Sequence, residues 1–422
     1  MDMQVSRGNI HAHMLRIPAS KSLSHRALIA SALHEGISDV RNLVINQDTE
    51  ATMRALRCLG AVFCMHEGHV RVRGIASPED YNGDIIDCGE SGSTLRFLIP
   101  LLTLSGKEVR FTGHGRLMER PQSVYEELFA QQGIRFEKRD NVLYTEGKLK
   151  AGEITLRGDV SSQFISGLLF ALPLCEGDSV IHITPPYESR DYVGLTEDVL
   201  EKSGIRFNDE GLTIHVPGSQ KYGELSFRVD GDDSQAAFFA VLSMLAGVPL
   251  DVLDMPHNSR QGDHVIVELI RRFGGTVHET DEGYRFEPGP LHGCEADLGN
   301  CPDLGPVLFA LAARAEGESV FHHCGRLRIK ESDRIECMRQ ELEKLGCAMY
   351  AEGDTVRIRG IADWHEPVVL SGHNDHRIVM ALSVLACAKD IPLLITGAEA
   401  VRKSYPDFFR DLAVTGAEVK EV

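Results

Sequence analysis

Val124-Tyr125-Glu126-Glu127-Leu128-Phe129-Ala130-Gln131-Gln132-Gly133-Ile134-Arg135-Phe136 reads as a helix, a stop and a strand. Apolar residues recur at three- and four-residue spacing, which predicts a helix over 124–132. Gly133 fits a left-handed helix end, and β-prone residues follow. The same phrase returns along the chain. Helices are expected over 195–203, 265–273, 334–345 and 407–415, each closing on a glycine. The closing glycines are Gly60, Gly133, Gly204, Gly274, Gly346 and Gly416, spaced by 73, 71, 70, 72 and 70 residues. A second series precedes them. Polar and small clusters around Ser22, Gly92, Ser162, Ser234, Asp303 and Asp375 open apolar, helix-like runs at intervals of 70, 70, 72, 69 and 72. Six units of one design set the architecture before any side chain is interpreted.

Each unit reads helix, strand, helix, glycine, strand, so the class is α/β. A chain of 422 residues exceeds one ordinary core, and no Pro/Ser-rich linker marks a boundary. The natural cut is three units plus three, near residue 228, where Phe227-Arg228-Val229 leads into Asp230-Gly231-Asp232. The six openings are then expected to gather in a cleft between the halves.

The net charge of −18 disfavours nonspecific binding of nucleic acid or of an anionic membrane, which needs a positive footprint. Residues 1–10 contain no apolar run of signal-peptide length, and 164–174 is too short to span a bilayer. The ten cysteines form no CxxC pair and read as reduced, mostly buried thiols of a cytoplasmic protein. His11 and His13 have no carboxylate or thiol partner nearby in sequence, so no metal site is read there.

The openings carry the chemistry. Free N–H groups and the positive end of the dipole make a helix start a ready anion site. In Pro18-Ala19-Ser20-Lys21-Ser22-Leu23-Ser24-His25-Arg26, two cations stand beside hydroxyls, an arrangement that suits phosphate but also an ordinary solvated cap. Cys88-Gly89-Glu90-Ser91-Gly92-Ser93-Thr94 lacks the lysine of a nucleotide P-loop, yet its glycines permit close backbone approach to a ligand. Ser161-Ser162-Gln163 places three hydrogen-bonding side chains before a wholly apolar run and suits a polyhydroxylated ligand. Asp232-Asp233-Ser234 has no cation and reads as a cap and turn. Asp303 reads either as a helix cap or as a carboxylate for proton transfer.

Arg326-Leu327-Arg328-Ile329-Lys330-Glu331-Ser332-Asp333-Arg334 is the densest charged segment. If it starts a helix, Lys330 and Arg334 share a face with Glu331 beside them; a surface ion-pair network is the lesser alternative. Arg120 precedes Pro121, expected to open a helix; Arg377 is expected in a first helical turn; Lys403 stands just before a helix. Lys21, Arg26, Arg120, Lys330, Arg334, Arg377 and Lys403 are thus cations at segment starts, accompanied by two carboxylates, Asp303 and Glu331, suited to moving protons.

Ser20-Lys21-Ser22-x-Ser24-x-Arg26, Glu119-Arg120-Pro121, Ser161-Ser162-Gln163-Phe164, Pro302-Asp303-Leu304, Lys330-Glu331-Ser332-Asp333-Arg334, Asn374-Asp375-His376-Arg377 and Lys403-Ser404-Tyr405-Pro406-Asp407 resemble, in order, the motifs of the 5-enolpyruvylshikimate-3-phosphate synthase family. The resemblance implies a two-domain inside-out α/β barrel with three βαβαββ repeats per domain and the active site in the interdomain cleft. Residues 20–228 would form the domain on the shikimate 3-phosphate side. Residues 1–19 and 229–422 would form that on the phosphoenolpyruvate side. It implies transfer of the enolpyruvyl group of phosphoenolpyruvate to the 5-hydroxyl of shikimate 3-phosphate with release of phosphate, by a cytoplasmic monomer with no metal or organic cofactor. Lys21, Ser22, Arg26, Ser161, Ser162, Gln163, Ser189, Asp303 and Lys330 would hold shikimate 3-phosphate. Lys21, Gly92, Arg120, Gln163, Arg334, Arg377 and Lys403 would hold phosphoenolpyruvate. Asp303 would accept the hydroxyl proton and Glu331 would protonate the methylene carbon, with Lys21 also in the catalytic set.

Two positions depart from the pattern, Glu90 and Arg326, each where relatives often have Asn; neither is carried over as a binding residue. Two other readings stand beside this one. A UDP-N-acetylglucosamine enolpyruvyl transferase shares the donor chemistry, but its reactive cysteine has no counterpart in His114-Gly115-Arg116-Leu117-Met118-Glu119-Arg120. A noncatalytic anion-binding relative would not need both Asp303 and Glu331.

Overall fold

The computed structural model describes residues 1–66 and 68–422. Each repeat contributes two α-helices. They are α1 (Lys21–Ala32) and α2 (Gln47–Arg57), α3 (Gly92–Thr103) and α4 (Ser123–Gln132), α5 (Ser162–Ala171) and α6 (Arg190–Lys202). Then follow α7 (Asp233–Ala246) and α8 (Ile266–Arg272), α9 (Gly305–Ala312) and α10 (Arg334–Glu343), α11 (His376–Ala386) and α12 (Phe408–Val414). The α/β class expected from the alternation is the one observed. The observed helices match the periodic segments to within a few residues, except that α6 starts at Arg190, five residues before the periodicity becomes evident.

Local chemistry accounts for where the helices begin and end. The odd-numbered helices open at the polar clusters. Ser20, Ser91, Ser161, Asp232 and Asp375 each accept a backbone N–H of the first turn through the side chain. The exception is α9, which is preceded by a 3₁₀ turn, Pro302–Leu304. All six closing glycines take left-handed backbone, with φ between +70° and +101°. At Gly274 a Cβ would also come within 2.1 Å of the Pro290 carbonyl oxygen, so two constraints select glycine there.

Among the described residues, six four-stranded sheets share one topology: a parallel pair, then two antiparallel neighbours. In the second repeat, Ile86–Asp87 runs parallel to Val109–Thr112, which pairs antiparallel with Val142–Glu146, itself paired with Arg135–Arg139. Three sheets are completed from far along the chain, one of them by His13–Arg16 running parallel to Leu250–Leu253. Ser226–Arg228 lies parallel to Ile37–Arg41, with Phe227 opposite Val40. Met3–Ser6 inserts between Leu393–Thr396 and Glu418–Glu421, with Met3 opposite Ile395 and Glu421.

The chain forms two compact units, Ala19–Asp230 and Met1–Pro18 with Gly231–Val422. In the second, every residue of α7, α9 and α11 is buried, and the three helices pack on one another. A helix that is apolar all round belongs inside. In the first, α3 packs on α5 and α1 on α6. The strands alternate instead. In His69–Arg73, Val70 and Val72 point inward while His69, Arg71 and Arg73 face solvent, so each sheet covers the helices with one face. All ten cysteines are unpaired, and seven are buried. Among the described residues, no helix is long and apolar enough to cross a membrane.

Candidate active site

In the unit that contains Gly231–Val422, separate helix starts and turns converge on one carboxylate. Asp303 sits in the 3₁₀ turn ahead of α9 and caps neither, since Cys301 holds the cap position of the turn and Leu304 that of the helix. The cap reading of Asp303 is thereby set aside. Its Oδ1 lies 2.9 Å from Arg334 Nη1 and 3.3 Å from Lys330 Nζ, and its Oδ2 lies 2.9 Å from Arg377 Nη2. Its backbone oxygen also accepts from Arg377 Nη1 at 3.2 Å. Burial alone pushes the Asp303 carboxyl up, but Arg377, Lys330 and Arg334 together outweigh it and hold the group well below the usual carboxylate range. Burial pulls Lys330 down to about 8, partly offset by Asp303.

Arg334 is the hub. It is the first residue of α10 and is 1% exposed. Besides Asp303, it donates to Glu331 at 2.7 Å and to Asp375 at 2.9 Å. Asp375 is fully buried and also receives the Ser332 hydroxyl at 3.0 Å and the Arg377 backbone N–H at 2.9 Å. A buried carboxylate of this kind persists because every lone pair finds a donor. Arg377, in the first turn of α11 as expected, also takes the Ser234 hydroxyl as acceptor at 2.9 Å. The fourth opening is therefore more than a cap and turn. Lys403 donates to the Asn374 carbonyl at 2.7 Å from the end of a 3₁₀ turn, Ala398–Lys403.

One expectation is corrected. Lys330 is extended and outside α10, which starts at Arg334 behind its cap Asp333. Lys330 and Arg334 therefore share no helix face. They meet on Asp303 because the turn at 330–333 folds back.

In the unit Ala19–Asp230 a second cluster forms at the starts of α1, α3 and α5. Lys21, first residue of α1, lies with Nζ 2.9 Å from Asp48 on α2. Gly92 opens α3, and a Cβ there would come within 3.0 Å of Arg120 Nη1 and 3.4 Å of Gln163 Oε1. Gln163 Oε1 accepts from Arg96 Nη1 at 2.9 Å, and its Nε2 donates to Ser93 at 3.0 Å. Ser161 caps α5, and its hydroxyl lies 3.4 Å from Arg96 Nη1; Ser162 is the first residue of that helix. Arg120 follows the turn Leu117–Glu119, and Pro121 stays outside α4, which starts at Ser123. Pro121 thus does not open that helix; its carbonyl accepts from Arg96 at 3.0 Å instead. Ser189 precedes α6 in left-handed backbone, φ +52°, and is buried. Such a conformation is unfavourable for serine and marks a constrained position.

Arg26 turns inward. It is 2% exposed and donates to the Ser22 carbonyl at 2.7 Å, the Tyr192 carbonyl at 2.7 Å and the Thr196 hydroxyl at 2.8 Å. It also stacks over Phe97 at 5.0 Å. Burial lowers its pKa to about 9.

Sequence reasoning passed over Asp48, Arg96 and Asp375 as site residues. Arg96 carried a legible signal, a lone cation in an otherwise apolar helix. Asp48 carried none beyond its helix start, and Asp375 stood in the motif Asn374-Asp375-His376-Arg377 without a role assigned to it. Glu90, one of the two departures, has its carboxylate against Gly115, where a Cβ would meet Oε2 at 2.4 Å. No group of His, Cys, Asp and Glu suited to a metal ion is found among the described residues.

The family model for EPSP synthase (3-phosphoshikimate 1-carboxyvinyltransferase) matches residues 7–412. The chain belongs to the EPSP synthase family. It is 40% identical to the 3-phosphoshikimate 1-carboxyvinyltransferase of Clostridium kluyveri, over 96% of both chains. It is 39% identical to that of Clostridium novyi, over the same shares. Among solved structures it resembles EPSP synthase from Acinetobacter baumannii, with TM-score 0.79, 27% identity and full coverage of both chains. The enolpyruvyl transferase NikO from Streptomyces tendae shares the fold, with TM-score 0.81 at 17% identity over 100% of this chain and 98% of that one. Within the EPSP synthase family, the cations gathered on Asp303 and those around Gly92 are the two clusters to which chemistry must be assigned.

Proposed function

We propose that this chain is a 3-phosphoshikimate 1-carboxyvinyltransferase. It moves the enolpyruvyl group of phosphoenolpyruvate to the 5-hydroxyl of shikimate 3-phosphate and releases phosphate, a step toward chorismate and the aromatic amino acids. The observation that carries this reading is the meeting of Lys330, Arg334 and Arg377 on Asp303, with Glu331 on the same guanidinium. That arrangement joins anion binding to two proton carriers.

Lys21, Ser22, Ser161, Ser162, Gln163, Ser189 and Lys330 take shikimate 3-phosphate. Lys21, Gly92, Arg120, Gln163, Arg334, Arg377 and Lys403 take phosphoenolpyruvate. Arg26 belongs to the first set, but three of its bonds already go to protein oxygens, so most of its effect is exerted through Ser22. In this reading residues 20–228 serve mainly the acceptor and residues 1–19 with 229–422 mainly the donor.

The reaction is an addition followed by an elimination. Glu331 gives a proton to the methylene carbon of phosphoenolpyruvate, so the adjacent carbon becomes electrophilic. The 5-hydroxyl oxygen bonds to that carbon and its proton passes to Asp303. The tetrahedral adduct then expels phosphate as the carbon–oxygen bond breaks, the methyl group returns a proton to the Glu331 carboxylate as the double bond re-forms, and the proton on Asp303 leaves with the phosphate. Lysine and arginine side chains neutralise the departing charge.

Asp303 is a weak base while three cations lean on it. Substrate phosphate and carboxylate draw Arg334 and Arg377 away, and Asp303 becomes basic only once the ligands are in place. The enzyme works in the cytoplasm as a monomer in this reading.

The test is phosphate release from phosphoenolpyruvate with shikimate 3-phosphate, and separately with UDP-N-acetylglucosamine. Turnover with the first alone is expected. Turnover only with the second, or with neither, overturns the assignment.

A further inference from the structure

Buried Glu341 and half-buried His373 form a charged pair that the reaction above does not use. Glu341, on α10, is 1% exposed. Its Oε1 lies 2.7 Å from His373 Nε2, and its Oε2 accepts the Ser371 backbone N–H at 3.0 Å and Lys344 Nζ at 2.6 Å. Cys337 and Glu341 raise the His373 imidazole to about 9, so it is protonated at neutral pH.

The backbone at this pair is unusual. His373 and Asn374 are consecutive non-glycine residues in left-handed conformation, with φ +48° and +52°. Each is disfavoured by its own Cβ and persists only when the surroundings enforce it. Gly372 N–H donates to the Thr396 carbonyl at 2.8 Å, and Asp375 N–H to the Gly372 carbonyl at 2.8 Å. Immediately downstream, the Asn374 carbonyl receives Lys403 Nζ, and Asp375 receives Arg334. Helix α10 therefore grips this segment twice. Arg334 at its first residue holds Asp375, and Glu341, about two turns on, holds Ser371 and His373.

We propose that His373 is a positioning residue for the donor side of the site: through Glu341 it enforces the left-handed turn that carries the Asn374 carbonyl to Lys403 and the Asp375 carboxylate to Arg334. It touches no reacting atom. The claim rests on the assignment of Lys403 and Arg334 to phosphoenolpyruvate.

Three variants of the full chain test it. His373→Asn keeps a residue that tolerates left-handed backbone but is too short to reach Glu341. Glu341→Gln removes the charge and keeps the size. His373→Gln restores a donor of similar reach. Steady-state kinetics give KM for phosphoenolpyruvate and kcat, and calorimetric titration gives Kd for shikimate 3-phosphate. Amide hydrogen exchange is followed over 371–377. His373→Asn and Glu341→Gln are expected to raise KM for phosphoenolpyruvate about tenfold, leave Kd for shikimate 3-phosphate within about twofold and speed exchange over 371–377. His373→Gln is expected to recover most of the loss. KM for phosphoenolpyruvate within twofold of the parent in both variants, or equal weakening of both ligands, overturns the proposal. If the parent itself releases no phosphate, the functional assignment has failed instead. Exchange then decides the structural claim alone, and unchanged rates over 371–377 overturn it. Should the first two variants not fold, exchange over 371–377 in parent and His373→Gln at pH 7 and pH 10 decides it: loosening with loss of the imidazolium charge in the parent alone is expected, and equal rates overturn it.

Discussion

The guanidinium of Arg334 lies 2.9 Å from the carboxylate of Asp303 although 31 residues separate them. The same guanidinium reaches Glu331 and Asp375, so one buried cation organises three carboxylates. This geometry makes the two proton carriers testable separately from binding.

Asp303→Asn and Glu331→Gln each remove one proton-transfer group while keeping size. Each is expected to lower kcat by about 10²–10⁴, the range for general acid–base catalysis. KM for each substrate should change far less. Single-turnover kinetics with both substrates check this, and a kcat unchanged in either variant removes that residue from its role.

Gly92→Ala tests the second cluster. The added Cβ would stand 3.0 Å from Arg120 Nη1 and 3.4 Å from Gln163 Oε1. The Arg120 guanidinium must shift by a few tenths of an ångström where phosphoenolpyruvate is assigned. A roughly tenfold rise in KM for phosphoenolpyruvate is expected, equal to about 1.4 kcal/mol. Binding of shikimate 3-phosphate alone, measured by titration, should be nearly unchanged; an unaltered KM would falsify the placement of Gly92 beside the donor.

Lys330 gives a pH dependence with a definite sign. Burial lowers its folded pKa to about 8 from an ordinary 10.5, so its positive charge is present below about pH 8 and lost above it. Affinity of the ligand-free enzyme for shikimate 3-phosphate is therefore expected to weaken as pH rises from 7 to 9.5. Lys330→Arg keeps its charge throughout this window. Its affinity should fall less steeply, and parallel titration curves for the two proteins contradict the assignment.

Arg26→Ala should cost stability as well as affinity. The side chain is buried, stacks on Phe97 and bonds to Ser22, Tyr192 and Thr196. Removing it takes a donor from two carbonyl oxygens and from the Thr196 hydroxyl, which keeps its bond to Ser166, and a loss of roughly 3 kcal/mol is expected. Urea denaturation measures it. A variant as stable as the parent shows that the inward network is worth nothing, and leaves Arg26 a ligand contact alone.

What was legible in the sequence was local. A helix start needs a side chain that reaches a backbone N–H two or three residues on, and Ser20, Ser91, Ser161, Asp232 and Asp375 each meet that need within their own segment. A helix end followed by a turn needs left-handed backbone, so the six glycines kept their period for a reason contained in one residue. The apolar character of α7, α9 and α11 all round already required that they be interior. The cations stood out because they fell at segment starts in an acidic chain, and the family motifs joined them to a reaction.

Partnership was decided by the tertiary structure. Arg377 finds Asp303 across 74 residues, Lys21 finds Asp48 across 27, and Arg26 finds Thr196 across 170. The sequence alone determined the six-fold period, the caps and the candidate charges, because those rest on interactions spanning three or four residues. Which carboxylate each charge meets, and that Arg26 faces inward while Asp303 caps nothing, depended on how buried helices pack; such contacts join residues whose separation along the chain carries no periodic trace.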